Sequence, residues 1–227
     1  MAYRLLFEAF DLVQRWLGVP LAILAWLTVA GGAGAMTLVL RRTGMRGRWA
    51  PSLAVGALAL AGHAADLFVT LRMSPDLSLE GNPMWLSIVD AFGLRFALFY
   101  GLSGQLLVCV LSFQLFAWYL ASRETMWPPL ADSFAGFVRG FGAAVPKRWG
   151  VRWRSLGNFF AWLFSLIGPY FFYVAWLNSM VTDEARYLRW PSPVATIAGY
   201  LLALSALYFV VGWWSFRSRA VAAATAA

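Results

Sequence analysis

Five apolar stretches, each long enough for a helix to cross a lipid bilayer, constrain the fold of this chain more than any other feature. A bilayer core about 30 Å thick needs roughly 20 mostly apolar residues in a helix. Within the fourth stretch, Gly168 and Pro169 predict a local kink, because proline lacks the backbone N–H that an uninterrupted helix uses. The sequence therefore predicts an all-α membrane protein, a single multi-pass membrane domain over residues 1–227, with spans at about 18–40, 50–71, 96–120, 156–180 and 194–214.

The composition excludes several classes of protein. Apolar residues make up 61% of the chain, and Asp, Glu, Lys and Arg only 12%, whereas soluble domains carry about 25% charged residues. This deficit excludes a soluble enzyme, a disordered chain and a nucleic-acid-binding domain. The single cysteine, Cys109, allows no intrachain disulfide, and the single histidine, His63, allows no histidine pair for haem or a histidine-cluster metal site.

The charge of the connecting segments predicts the orientation of the spans. Most of the 18 Lys and Arg residues fall between spans one and two, between spans three and four, and after span five. Because cytoplasmic loops carry an excess of Lys and Arg, we expect the amino terminus outside and the carboxyl terminus in the cytoplasm, in the inner membrane of a bacterium. A signal peptide cleaved after Ala33-Gly34-Ala35 is disfavoured, because the basic cluster follows the apolar core instead of preceding it.

Two segments outside the spans are amphipathic. Residues 3–17 place apolar side chains on one broad helical face and charged side chains on the opposite face. This pattern predicts an interfacial helix lying at the membrane surface. A second candidate lies in the long loop before span four, where four apolar residues follow helical spacing: Phe134, Phe137, Val138 and Phe141.

The second span contains the one polar constellation of the apolar stretches. His63, Asp66 and Thr70 are spaced i, i+3 and i+7, which places them on one helical face. The short loop that follows returns Glu80 and Asn82 to the same side of the membrane. Asn82 and the following proline are typical of a helix start, and they predict a short interfacial helix over 84–91 that ends near Gly93.

An Asp inside a span costs about 2.5–3.5 kcal/mol and is by default a candidate functional residue. The constellation around Asp66 has three interpretations. The first interpretation is a structural hydrogen-bond cluster, in which Asp66 pairs with His63 or Arg72. The second is a divalent metal held by His63, Asp66 and Glu80, ligand types that suit a hydrolytic centre. The third is a site for a cation, a proton or the polar head of a lipid-like ligand.

The motif D-x-x-x-T, followed ten residues later by E-x-N-P, resembles an uncharacterised family of small bacterial and archaeal membrane proteins. The residues that carry the resemblance are Asp66, Thr70, Glu80, Asn82 and Pro83. It implies a helical hairpin with a polar cluster at one membrane face, and no assigned activity. Family members often carry a basic residue in the following helix, for which Arg95 is the nearest candidate here.

A second string, Gly101-Leu102-Ser103-Gly104, is similar to the G-x-S-G of rhomboid intramembrane proteases. Those proteases place the partner histidine in a later span. Here the sole histidine precedes the serine, so serine-protease chemistry is disfavoured.

The long loop before span four carries a basic, Trp-containing segment. We interpret it as a surface for anionic lipid headgroups, since each basic residue contributes about 1 kcal/mol near an anionic membrane. A protein-docking surface is the other interpretation, and nucleic acid is not expected. The predicted headgroup-binding residues are Lys147, Arg148, Arg152 and Arg154, interleaved with Trp149 and Trp153.

The absence of catalytic motifs favours a non-catalytic membrane protein, an accessory or assembly subunit or a lipid-facing scaffold. Its expected partners are membrane lipids and other membrane subunits or a second copy of itself, and no cofactor is predicted. The alternative is a carrier or intramembrane enzyme that uses the outer-leaflet site of His63, Asp66 and Glu80 on a cationic or lipid-like substrate.

Overall fold

The computed structural model describes residues 2–44, 46–77, 83–149, 152–180 and 193–225. For four helical segments, 2–16, 83–84, 193–195 and 220–225, the structure describes the backbone alone. All regular elements of the described residues are helical. They are α1 (Ala2–Thr43), α2 (Trp49–Met73), α3 (Pro83–Phe92), α4 (Leu94–Ser122) with a 3-10 turn (Arg123–Met126), α5 (Phe134–Gly140), α6 (Trp153–Ser165), α7 (Tyr170–Asn178) and α8 (Pro193–Thr225).

Five segments are long and apolar enough to cross a membrane, which confirms the prediction of an all-α, multi-pass membrane protein. Their bounds differ from the predicted ones by at most six residues. They are Leu17–Thr43, Trp49–Met73, Leu94–Met126, Trp153–Asn178 and Thr196–Arg219. The orientation of the termini stays a prediction.

The first helix differs from the prediction of an interfacial helix over 3–17 and a separate first span over 18–40. Residues 3–17 are helical, but they continue without a break into the first span, so α1 is one helix of 42 residues with Pro20 inside it. At 1.5 Å per residue it is about 63 Å long, about twice the thickness of a bilayer core. That residues 3–17 lie in the membrane surface stays a prediction.

The turn between α3 and α4 follows the predicted pattern. The short helix begins at Pro83 and ends at Phe92, and Gly93 has a φ of +80°. The Gly93 N–H donates to Val89 O at 2.8 Å, and Gly93 O accepts from the Ala97 N–H at 3.1 Å. One left-handed glycine therefore ends α3 and begins α4, because glycine adopts positive φ at no steric cost.

The fourth span is interrupted at 166–169, which confirms the kink predicted at Gly168 and Pro169. Gly168 lies so close to α2 that a Cβ at this position would overlap the backbone of Ala59, and a Cβ on Gly62 would overlap the Gly168 carbonyl oxygen. Two glycines thus allow the interrupted segment and α2 to approach each other at backbone distance. Close approach through small residues is typical of helices that associate in membranes.

The chain divides into two compact units. The first comprises the described residues of Met1–Thr37, Ala57–Leu111 and Gly168–Trp190, and the second those of Leu38–Gly56, Ser112–Ile167 and Pro191–Ala227. The first unit has a small buried cluster of Ala22, Ile88 and Ala97, from α1, α3 and α4. The single membrane domain expected from the sequence stays a prediction beside this division.

The second unit has a larger, aromatic core. Its buried members come from α4, α6 and α8: Tyr119, Ala161, Trp162, Leu163, Leu204 and Tyr208. The Trp162 Nε1–H donates to Leu204 O at 2.9 Å, which ties α6 to α8. At the end of α8, the Arg219 guanidinium pairs with the Glu124 carboxylate of the 3-10 turn.

The amphipathic loop segment is the helix α5, capped by the Ser133 hydroxyl, which accepts from Gly136 N–H at 3.1 Å. Phe137 is fully buried, and its ring lies 5.6 Å from that of Trp213 and 5.5 Å from that of Phe216 on α8. The central aromatic residue of α5 therefore packs on protein. A location of this helix at the membrane surface stays a prediction.

Candidate functional site

A cavity of about 290 Å³ lies inside the first unit. Residues of α1, α2, α3, α4 and α7 line it. Its polar lining comprises His63, Asp66, Thr70 and Gln105, and its aromatic lining Trp26, Trp85, Tyr100 and Phe171. Three of the five residues of the predicted constellation, those on α2, thus form one wall of a cavity.

The imidazole of His63 is the most unusual group in this cavity. The residue is only 5% exposed, and neither ring nitrogen has a hydrogen-bond partner among the described residues. Its ring lies 3.9 Å from the ring of Phe171, centroid to centroid, at an interplanar angle of 36°. Leaving a buried donor or acceptor without a partner costs about 1–3 kcal/mol. The fold therefore places a polar side chain against the cavity at a cost to stability.

Asp66 and Thr70 are joined by a residue from a distant part of the chain. The Asn178 Nδ2 atom lies 2.9 Å from Asp66 Oδ1 and 3.4 Å from Thr70 Oγ1, and donates to both. Asn178 is the last residue of α7. The amide thus fixes the orientation of the carboxylate at the edge of the cavity.

The aromatic wall is held by specific contacts between helices. Gly101 of α4 leaves room for the Trp85 ring of α3, which a Cβ at this position would overlap. The Tyr100 hydroxyl donates to Ala22 O at 2.6 Å, and Trp26 Nε1–H donates to Ser103 Oγ at 3.1 Å. These bonds attach α1 to α4 and fix two aromatic rings at the cavity.

The Ser103 of the rhomboid-like string has no catalytic geometry. Its hydroxyl accepts from Trp26 and donates to Tyr100 O at 2.9 Å. No hydrogen bond joins it to His63, whose nitrogens have no partner among the described residues. The similarity to G-x-S-G therefore reflects small residues at a helix contact.

The predicted cluster is only partly assembled in the described residues. His63, Asp66 and Thr70 line the same cavity, whereas Glu80 and Asn82 lie outside the described residues. Of the two partners predicted for Asp66, His63 is wrong, because neither imidazole nitrogen has a partner among the described residues and the ring packs against Phe171. The carboxylate accepts from Asn178, and its pairing with Arg72 stays a prediction.

A metal site receives no support from the described part of the chain. It contains no group of three or more His, Cys, Asp and Glu residues that could hold a metal ion. The predicted metal site of His63, Asp66 and Glu80 stays a prediction, because Glu80 lies outside the described residues.

Sequence reasoning missed Asn178 and the aromatic wall. The sequence contained a clue to Asn178. Spans two and four cross the membrane in the same direction, so the end of span four, with Asn178, lies on the same side as the end of span two, with Asp66 and Thr70. The four rings had no such signal. Trp, Tyr and Phe are frequent throughout this chain, with 13, 8 and 18 copies, and only the fold shows which of them meet.

The basic segment of the second unit splits between two cavities. Arg148 and Arg154 line a cavity of about 630 Å³ together with Trp149 and Trp153. The Arg148 guanidinium lies 5.2 Å from the centroid of the Trp149 ring, and that ring is 83% exposed. Lys147 is exposed.

Arg152 departs from the other predicted headgroup residues. It is half-buried, and it lines a different cavity of about 340 Å³ with Phe141 and Tyr208. Its Nε atom is buried and has no hydrogen-bond partner among the described residues. The four predicted basic side chains therefore do not form one surface. Two of them, Arg148 and Arg154, share a cavity with the indole rings of Trp149 and Trp153.

No protein-family model, curated protein or solved structure matches this chain.

Proposed function

We propose that this chain is a non-catalytic membrane protein, an accessory subunit or scaffold, that holds the cationic group of a ligand in the cavity of the first unit. The buried imidazole of His63, which faces this cavity without a partner among the described residues, is the observation that carries the proposal. A ligand that hydrogen-bonds to His63 would remove the cost of that unsatisfied group.

The chemistry of the lining favours a cation. Asp66 is the only acidic side chain among the described lining residues, and no Lys or Arg is among them. The faces of aromatic rings attract ammonium groups, by about 2 kcal/mol or more where the site is desolvated. A neutral imidazole accepts a hydrogen bond on one nitrogen. An ammonium group with at least one N–H fits these three features together.

Thermal unfolding of the purified protein in detergent tests this proposal. A ligand that binds only the folded state raises the midpoint of unfolding. We expect ethylammonium to raise it in the wild type, acetate to leave it unchanged, and the ethylammonium effect to disappear in His63→Phe.

Ser52→Ala is the matched control. Ser52 also has a buried side-chain oxygen without a partner among the described residues, but it belongs to the second unit. This variant should keep the full ethylammonium effect. No stabilisation of the wild type at any ethylammonium concentration would contradict the proposal.

A carrier or intramembrane enzyme that uses the same cavity is the second candidate. It is favoured by the interruption of the fourth span at 166–169, because carriers build their substrate sites from discontinuous helices. The helix after the break, α7, contributes Phe171 to the cavity and Asn178 to Asp66. Flux of ethylammonium into proteoliposomes, lost in Asp66→Asn, would favour the carrier over the non-catalytic protein.

The surface formed by Arg148, Trp149, Trp153 and Arg154 supports a role in contacting anionic lipid headgroups, with the inner membrane of a bacterium as the proposed location. Exposed guanidinium groups pair with phosphate, and Trp favours the membrane interface. Replacement of both arginines by Gln should lower the ratio of phosphatidylglycerol to phosphatidylcholine that is retained with the protein when it is purified from micelles containing both lipids.

A further inference from the structure

A second, apolar cavity of about 310 Å³ adjoins the polar one in the first unit. It is a groove between α2 and α4, lined by leucines, Ala64 and Phe68. Three residues line both cavities: His63, Leu67 and Gln105. The apolar groove and the polar cavity therefore meet at two hydrogen-bonding side chains.

The rim of this groove is exposed. Phe68 is 66% exposed, Leu106 53% and Leu60 46%. All three residues belong to helices that are long and apolar enough to cross a membrane. In a membrane such side chains contact acyl chains, so the groove opens toward lipid and not toward water.

We infer that the ligand of the polar cavity is a lipid with an ammonium headgroup, whose acyl chain lies in the α2–α4 groove. This inference rests on the proposed function, and it adds the class of ligand. The ammonium group lies beside Asp66 and the aromatic rings, and one of its N–H groups donates to the acceptor nitrogen of the His63 ring. The other His63 nitrogen and the Gln105 amide donate hydrogen bonds to an ester or phosphate oxygen of the linking group.

The shape of the lining distinguishes this ligand from a soluble amine. A soluble ammonium ion fills the polar cavity alone and gains nothing from an adjoining groove. An acyl chain gains dispersion contacts along its whole length within a groove of matching shape, each small and together large. The continuity of the two cavities through His63, Leu67 and Gln105 therefore favours an amphiphile.

Binding of three probes to the full-length protein in detergent micelles tests the inference. The probes are lysophosphatidylethanolamine, lysophosphatidylglycerol with the same acyl chain, and ethylammonium. We expect the wild type to bind the ethanolamine lipid about tenfold more tightly than the glycerol lipid, a difference of about 1.4 kcal/mol.

Ala64→Trp fills the groove without changing the polar cavity, since Ala64 lines only the groove. It should weaken binding of the ethanolamine lipid about tenfold and leave ethylammonium binding unchanged. Leu58→Trp, at an exposed position of α2 that lines neither cavity, is the control and should change neither. Leu106→Trp fills the groove from α4 and replaces Ala64→Trp if that variant fails to fold.

The outcomes separate this inference from the proposed function. Ethylammonium binding that depends on His63, with lipid binding unaffected by the groove variants or equal for both lipids, overturns the lipid ligand and leaves the proposed function standing. Absence of binding of all three probes overturns both.

Discussion

Each of the two units buries a polar side chain on a membrane-spanning helix, and the two side chains differ in whether they have hydrogen-bond partners. In the second unit Asn158 of α6 is fully buried, and every polar atom of its amide is in use. Its Nδ2 donates to Ser122 Oγ at 2.7 Å and to Tyr119 O at 3.3 Å, and its Oδ1 accepts from the Tyr208 hydroxyl at 2.7 Å. In the first unit His63 is nearly as buried, and neither of its nitrogens has a partner among the described residues.

The difference separates a structural polar group from a candidate functional one. A satisfied buried network specifies the packing of the helices that contribute to it. A buried polar group without a partner weakens the fold, and a bound ligand or ion is one explanation for such a group. Burial alone therefore does not identify a site. His63 is a candidate because it combines burial without a partner among the described residues with a cavity that has an acidic and aromatic lining.

Replacement of Asn158 should have the largest effect on stability. Asn158→Leu leaves the buried Tyr208 hydroxyl without its acceptor and also removes the hydrogen bonds to Ser122 Oγ and Tyr119 O. We expect a loss of about 2–4 kcal/mol in the free energy of unfolding. Unfolding in mixed micelles, followed by near-UV circular dichroism, measures the loss. Ser205→Ala is the control, since its hydroxyl only donates within α8 to Leu201 O, and it should stay within about 0.5 kcal/mol of the wild type.

A methyl group at Gly168 should be the next most harmful change. Gly168→Ala forces the backbone of the interrupted segment away from Ala59, and overpacking of this kind costs about 1–3 kcal/mol. The same displacement moves Phe171 from the His63 ring, so ethylammonium binding should weaken as well. Gly34→Ala in α1 is the control, because a Cβ there meets open space. Equal stability of the two variants would show that the close approach at Gly168 is unimportant.

Removal of the charge of Asp66 should affect stability less than binding. Asp66→Asn keeps an oxygen that accepts from Asn178, so we expect a loss of less than about 1 kcal/mol, whereas Asp66→Leu removes the acceptor and should lose about 1–3 kcal/mol. Asp66→Asn should nevertheless weaken ethylammonium binding. Equal stability of Asn and Leu variants, with binding unchanged in both, would remove Asp66 from the site.

Replacement of His63 should have the smallest effect on stability, in contrast to replacement of Asn158. His63→Phe removes two polar atoms that have no partner among the described residues, and it keeps an aromatic ring against Phe171. Replacing an unsatisfied polar group by an apolar one of similar shape is nearly neutral or stabilising. Without ligand we expect a change within about 1 kcal/mol of zero. A loss as large as that of Asn158→Leu would mean that His63 is structural.

The sequence predicted the elements whose causes are local. The spans follow from apolar length, α3 from Pro83 and Gly93, and the break of the fourth span from Pro169. The continuity of 3–17 with the first span was missed, since a change of pattern from amphipathic to apolar does not require a break in the helix. Only part of the site was predictable. His63 and Asp66 share a helical face, but the Asn178 that holds Asp66 lies 112 residues away.

The most direct test uses the fact that the chain contains one histidine. Selective ¹⁵N labelling of histidine gives an NMR spectrum of the two ring nitrogens of His63 alone, in the full-length protein in micelles. If His63 is the group that binds the ammonium ligand, ethylammonium should shift one ring nitrogen strongly at concentrations that stabilise the protein, and acetate should shift neither. Ring-nitrogen signals that stay unchanged through saturating ethylammonium would contradict the assignment of this cavity as a ligand site.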